Sequence, residues 1–378
     1  MKRFLSGCLI LIWMIGVAPL GVRGAGLEVE AKSAVLMDAA TGTVLFAQNE
    51  HEALPPASVT KVMTMLLIME AVDSGRIGWD DTVTASEAAA QKGGSQIYLK
   101  VGETMSVRDM VKSIAVSSAN DCACAMAEHI AGSEAAFVDK MNVRAAELGM
   151  QDTHFVNCTG LDDDPNAKDH KTSAYDIALM SRELMVHHPD IKQFTTIWMD
   201  TVRNGEFGLS NTNKLVRFYP GATGLKTGYT SQAGHCLSAT AQRDGMELIA
   251  VVMGCESSPK RFAACKMMLD HGFANYALVK PDMQEAQVPV KLGAADTVKA
   301  ILGENNAILI DKAQKNLITT EMVLEPEIAA PVSKGQRLGT FTVKAGDQIL
   351  QQIPMVAEAE VPKLTLWQIF YRVLQSIF

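Results

Sequence analysis

Three short groups of residues in this chain have the types and spacing for acyl-transfer chemistry. Ser58-Val59-Thr60-Lys61 sets a hydroxyl and an amine three residues apart, just after Pro55-Pro56-Ala57. The run from Ser58 to Val72 is rich in Met and Leu and reads as a helix opened by the prolines. Spacing i, i+3 puts both side chains on one helical face. A serine needs a base to become a nucleophile, and a neutral lysine can serve. Desolvation or neighbouring positive charge lowers a lysine pKa toward that role. The start of a helix also favours negative charge developing near Ser58. Taken alone, the tetrapeptide reads better as an ordinary helix cap with an exposed lysine.

The second group is Ser118-Ala119-Asn120, in the break between two helical patterns. Its hydroxyl can relay a proton and its amide can hold a peptide group, although Ser and Asn are also common turn and cap residues. The third is Lys226-Thr227-Gly228, inside Thr223-Gly224-Leu225-Lys226-Thr227-Gly228-Tyr229-Thr230. On a strand Lys226 and Gly228 share one face and Thr227 takes the other. Glycine admits close backbone approach, and the lysine and threonine suit a carboxylate.

The elements that must position these groups follow from pattern. Ala34–Asp38 and Thr43–Gln48 read as a hairpin around Ala40-Thr41-Gly42. Helical patterns cover Val107–Val116, Asp121–Ala131, Glu134–Leu148 and Ala174–His187, with a long loop over residues 151–172. Three strands follow at Gly224–Tyr229, His235–Ala241 and Glu247–Gly254, the last two joined through Asp244-Gly245. Pro259–Phe273 closes the unit as a helix. Strands at both ends with helices between make an α+β pattern. Beyond about residue 279 short β-like runs, punctuated by Gly293, Gly335 and Gly346, predict a small all-β domain.

In their order and fuller wording the three groups resemble the low-molecular-mass penicillin-binding proteins, the serine-type D-Ala-D-Ala carboxypeptidases. Asn157-Cys158-Thr159-Gly160-Leu161, Ala233-Gly234 and Lys260-Arg261-Phe262 extend the likeness, which covers roughly residues 30–275. The resemblance implies a β-lactamase/transpeptidase-like fold, an antiparallel sheet flanked by helices with an inserted helical subdomain. It implies Ser58 as nucleophile, Lys61 as base and Ser118 as proton relay. Asn120, Lys226, Thr227, Gly228, Tyr229 and Arg261 would bind substrate, with oxyanion donors in the backbone of Ser58 and Tyr229. Asp176 matches a family position beside the site, with an accessory role. The implied partners are a peptidoglycan stem peptide ending in D-Ala-D-Ala and β-lactam antibiotics.

Two departures stand out. Some relatives carry Asn-Arg-Asn about fourteen residues before the strand lysine, where this chain has Asn211-Thr212-Asn213. Some have His after Lys-Thr-Gly, where this chain has Tyr229. Two other functions compete. A class A β-lactamase uses an extra Glu, but no Glu-x-x-x-Asn occurs between residues 151 and 185. A non-catalytic peptidoglycan-binding protein of the same fold would not need Ser58, Lys61, Ser118 and Lys226 intact.

The ends of the chain point to a membrane. Lys2 and Arg3 precede the apolar run Phe4–Leu20, and Val22 and Gly24 suit cleavage before Ala25. That is an export signal in preference to an uncleaved anchor. The match Leu5-Ser6-Gly7-Cys8 to a lipoprotein box sits too near the charged start. At the other end, Thr365, Gln368, Arg372, Gln375 and Ser376 form a polar strip on a helix otherwise made of Leu, Trp, Ile, Phe and Val. Sixteen residues give about 24 Å of helix, short for a span and suited to lying in the interface. The expected division is 1–24 signal peptide, 25–276 catalytic domain, 277–361 β-rich domain and 362–378 amphipathic anchoring helix. The expected location is the extracytoplasmic face of the bacterial cytoplasmic membrane.

Composition agrees with a folded protein. Of 378 residues 48% are hydrophobic and 20% charged, which excludes a largely disordered chain. Without the first 24 residues, 31 basic face 42 acidic groups, a net charge of -11. That balance argues against general nucleic-acid binding. Cys122, Cys124, Cys158, Cys236, Cys255 and Cys265 are scattered, without zinc spacing, and read as buried thiols rather than disulfides. Asp162, Asp164 and Asn166 mimic a calcium loop, but Ala167 and Ser173 stand where Gly and Glu are required. His187-His188 has no accompanying metal spacing, so no metal and no cofactor are expected.

Overall fold

The computed structural model describes residues 27–162, 167–279, 285–303 and 307–377. The proposed signal segment and Asp164 to Asn166 lie outside them.

A five-stranded antiparallel sheet organises the larger part. Its strands are β1 (Ser33–Asp38), β2 (Val44–Gln48), β3 (Ala222–Thr230), β4 (Gly234–Arg243) and β5 (Met246–Cys255), in the order β2-β1-β5-β4-β3. Both ends of the segment therefore meet in one sheet, with β1 beside β5. Successive residues point to opposite faces, so β1 and β5 feed two cores. Val35, Met37, Ile249, Val251 and Met253 face one, built largely from helices. Leu36, Leu248, Ala250 and Val252 face the other, covered by Cys265, Met268 and Leu269. That requirement makes both strands nearly continuous apolar runs rather than alternating ones.

The helices are α1 (Lys61–Asp73), α2 (Val107–Ser117), α3 (Asn120–Ala131), α4 (Glu134–Glu147), α5 (Ala174–His187) and α6 (Ser258–Asn275). Helix α1 is buried on nearly every side, as its sequence without a polar face demands. Helices α2, α4, α5 and α6 each start at a serine whose hydroxyl accepts a backbone N–H. Six cysteines are buried and free among the described residues.

One local difference from the sequence expectation matters. The run starting at Ser58 begins as a 3-10 turn, Ala57–Thr60, and becomes α-helical only at Lys61. Thr60 Oγ1 donates to Ala57 O, and loop residue Gly160 lies against the same carbonyl. In a 3-10 turn residues i and i+3 eclipse, which aligns Ser58 and Lys61 more closely than an α-turn would.

Small elements without a periodic signature also appear. They are the hairpins Thr82–Thr84 with Thr104–Ser106 and Met199–Val202 with Phe207–Ser210, and the one-turn helices Glu87–Ala90, Lys192–Thr195 and Leu215–Phe218. Runs of three or four residues are too short to carry a hydrophobic period.

Beyond α6 the chain is β-rich. Tyr276–Val279 pairs with Ile308–Asp311, so α6 leads directly into a strand. A six-stranded sheet follows, with Val288, Val298, Leu338, Phe341, Ile353 and Met355 in its core. The tail forms helix α7 (Leu366–Ile377), opened by reciprocal bonds between Thr365 and Gln368. Among the described residues no helix is long and apolar enough to cross a membrane.

Candidate active site

Ser58 sits on the 3-10 turn that packs against the edge strand β3. Lys61 is fully buried, and its Nζ lies 2.9 Å from Ser58 Oγ and 2.8 Å from the carbonyl of Thr159. Neither partner is a carboxylate. Burial pushes the amine down to about 7, against smaller upward pulls from Cys158 and Asp121. Near neutral pH a large share of Lys61 is therefore unprotonated, with a lone pair beside the serine hydroxyl.

The break between α2 and α3 supplies the second group. Ser118 caps α2 in the left-handed region, at φ 63°, and is almost fully buried. A serine held there is the kind of local strain that functional sites retain. Asn120 donates from Nδ2 to Gly93 O at 2.7 Å and from its backbone N–H to Ser95 O at 2.7 Å. Its Oδ1 is buried without a partner. An amide anchored on one side with an orphan acceptor on the other is prepared to receive an N–H. Asp121 accepts from the backbone N–H groups of Ile97, Leu99 and Cys122, fixing the loop that carries Gly93 and Ser95.

Strand β3 forms the facing wall. Lys226 is buried and donates to Thr227 O at 2.9 Å. Its burial, then the positive charges of Lys61 and Arg261, hold it well below the ordinary lysine range. Thr227 Oγ1 donates to Thr212 Oγ1 at 2.7 Å. Thr212, standing where some relatives have arginine, thus positions a neighbour of the lysine. A Cβ on Gly228 would lie 2.6 Å from Pro56 O and 3.1 Å from the Ser58 nitrogen, so only glycine lets β3 approach the serine turn. Tyr229 is exposed and stacks on His235 with ring centroids 4.3 Å apart.

Arg261 enters from α6. Its Nη1 donates to Gly228 O at 2.9 Å and to Cys236 O at 3.3 Å, while Nε is buried without a partner. It braces the β3–β4 pair directly behind the glycine. Asp176 is placed differently. Its carboxylate accepts from Asp152 N at 2.8 Å and Thr153 Oγ1 at 2.7 Å, tying the 151–172 loop to the start of α5. Burial raises its pKa.

Sequence spacing did not reveal the carbonyls of Thr159 and Gly93, or the bond that Thr227 makes to Thr212. The only local signal was Asn157-x-x-Gly160, where Asn157 Oδ1 accepts from the backbone of Thr159 and Gly160. Spacing also missed that helix packing brings His188 to Glu70 and Glu183. There Arg144 supplies the cation, at 2.6 Å from each carboxylate.

A model of the D-alanyl-D-alanine carboxypeptidase family matches residues 21–257, and one of the penicillin-binding protein 5 C-terminal domain matches 273–363. The chain belongs to the D-alanyl-D-alanine carboxypeptidase family. It is accordingly a serine-type carboxypeptidase, a hydrolase. It is 44% identical over 376 residues to D-alanyl-D-alanine carboxypeptidase DacF of Bacillus subtilis, covering 96% of this chain and 95% of that one. DacC of Escherichia coli is 33% identical, covering 88% and 85%. Penicillin binding protein 5 of Haemophilus influenzae superposes with a TM-score of 0.77 at 30% identity, covering 89% of this chain and 99% of that one. Penicillin-Binding Protein D2 of Listeria monocytogenes, solved in its ampicillin-bound form, gives a TM-score of 0.60 at 32% identity over 65% of this chain and 99% of that one. Within the family the expected α+β fold with a C-terminal all-β domain is the fold observed.

Two outcomes follow for this carboxypeptidase. Gly228→Ala should slow penicillin acylation by about 100-fold or more, because it displaces β3 from the serine turn. The check is adduct formation against time by intact mass. If the neutral Lys61 amine serves as base, the acylation rate should rise with pH up to its pKa of about 7 and level off above it. Below that point a stopped-flow pH profile should show about a tenfold loss per unit.

Proposed function

We propose that Ser58 Oγ attacks the carbonyl carbon between two terminal D-alanines of a peptidoglycan stem peptide. Lys61 Nζ takes the hydroxyl proton, and Ser118 passes a proton to the departing D-alanine nitrogen. The backbone N–H groups of Ser58 and Tyr229 hold the oxyanion. Asn120 Oδ1 accepts a substrate N–H, and Lys226 and Thr227 receive the terminal carboxylate, with the Arg261 charge behind Gly228 supporting them through the strand it braces. Water then cleaves the Ser58 ester and regenerates the serine. A β-lactam presents its strained amide carbonyl to the same hydroxyl and leaves a ring-opened ester. The observation that carries this reading is the buried Lys61 amine, 2.9 Å from Ser58 Oγ and bonded to no carboxylate.

The test is incubation of the protein with penicillin and with a peptide ending in D-Ala-D-Ala. A lasting adduct on Ser58 and released D-alanine are expected, and Ser58→Ala should show neither. Rapid penicillin turnover without peptide cleavage would instead mark a β-lactamase. Folded protein with neither reaction would leave a binding role.

We further infer an exported, membrane-resting arrangement: a signal over 1–24, catalytic residues 25–276, a β-rich spacer over 277–361 and an anchoring helix over 362–378. Leu366, Trp367, Phe370 and Tyr371 are exposed along α7, while Arg372 turns back to Asp296 at 2.6 Å. An apolar face left in water on a helix pinned by its polar strip suits the membrane interface of the extracytoplasmic surface. Burying each large apolar side chain contributes roughly 2 kcal/mol. Trp367→Glu with Phe370→Glu should abolish cosedimentation with phosphatidylglycerol-containing vesicles and leave peptide cleavage unchanged. Undiminished vesicle binding would sink the anchoring role.

A further inference from the structure

Glu134, the first residue of α4, stands apart from the side chains assigned above. Its carboxylate is largely buried and has three partners, the most distant being Cys124 Sγ, which donates to it at 3.8 Å. On one side it accepts from Lys92 Nζ at 2.6 Å. On the other it accepts from the backbone N–H of Cys158 at 3.2 Å and from Cys158 Sγ at 3.1 Å. Burial opposes its ionisation, yet the bonds from Lys92 and Cys158 prevail and hold it below the ordinary glutamate range.

Lys92 and Cys158 each stand one residue away from an atom that holds a site side chain. Lys92 precedes Gly93, whose carbonyl receives Asn120 Nδ2 at 2.7 Å. Cys158 precedes Thr159, whose carbonyl receives Lys61 Nζ at 2.8 Å. The carbonyl of Cys158 itself receives Thr64 Oγ1 at 2.6 Å, one turn along α1 from Lys61. Two loops from distant parts of the chain thus meet on one carboxylate. Lys92, Glu134, Asn157, Thr159 and Leu161 also line one cavity of about 210 Å³. Leu161 and the Asn120 amide both lie against Gly94, so this cluster borders the substrate-holding amide.

A neutral contact would serve mere packing there. Charge-assisted bonds are shorter and stronger, and they resist the small displacements to which acyl transfer is sensitive. We propose that Glu134, together with Lys92, is a positioning residue that sets the spacing of the loops at 92–95 and 157–161, so that Lys61 meets Ser58 while Asn120 Oδ1 stays open to substrate. It moves no proton and touches no reacting atom. The inference rests on the assignment of Lys61 and Asn120 given above.

The experiment measures the second-order rate constant for penicillin acylation and the kcat/KM for D-alanine release, on the full chain. Adduct formation by the native protein and its loss in Ser58→Ala test the site assignment itself. Glu134→Gln and Lys92→Met should each slow acylation about 10- to 100-fold. Their double variant should be slower than the worse single one by no more than about threefold, because both act through one linkage. Glu134→Asp keeps the charge and should recover part of the loss. Arg144→Gln breaks ion pairs to Glu70 and Glu183 from the same helix, so it should lower Tm yet keep the rate within about twofold. The proposal is overturned if Glu134→Gln and Lys92→Met acylate within about twofold of native, or if their losses multiply. It is also overturned if Arg144→Gln slows acylation as much as they do, since general softening would then explain all three. Should Glu134→Gln fail to fold, Lys92→Met decides.

Discussion

Everything around the serine depends on keeping one amine out of water without giving it a counter-charge. An ammonium taken from water into a protein interior costs several kcal/mol unless it is paired. Lys61 meets a hydroxyl and a carbonyl instead, and its neutral form becomes accessible near pH 7. A carboxylate in the position of Thr159 O would reverse that balance and hold the proton on the lysine. The choice of a backbone carbonyl as partner is thus a chemical decision.

The constraint spreads outward. To bury Lys61, α1 must be covered on all sides, which its run of Met, Leu and Ile permits. The 157–161 loop must lie directly on the serine turn, and Gly160 makes room for it. Strand β3 must close from the opposite side, and Gly228 makes room there. Lys226 adds a second buried amine, which burial and then the charges of Lys61 and Arg261 hold below the ordinary lysine range.

The two cores divide the remaining work. The face of β1 and β5 toward the helices positions the serine turn and the α2–α3 break, while the other face packs on α6 and brings Arg261 behind Gly228. Because β3 is an edge strand, its outer edge is not paired within the sheet and can meet the serine turn. The β-rich part has its own core and carries α7, whose polar strip is pinned through Arg372 to Asp296.

What the sequence determined by itself was local or carried in short motifs. The long helices, the three late strands and the all-β region follow from periodicity and turn residues, because each spans enough residues to show a pattern. Ser58, Lys61, Ser118, Asn120 and Lys226 were singled out because three short motifs, taken together and in order, resemble those of one family. Only the tertiary structure decided which carbonyl receives Lys61, that Ser58 stands on a 3-10 turn, that Arg261 braces the strand pair, and that Asp176 clamps a loop. Those outcomes depend on backbone atoms and on contacts between segments far apart in the chain, such as Lys61 with Thr159. A backbone carbonyl looks the same at every residue, so no residue type announces it. The linkage through Glu134 shows the same limit, since its meaning lies in the neighbours of its partners rather than in its own identity.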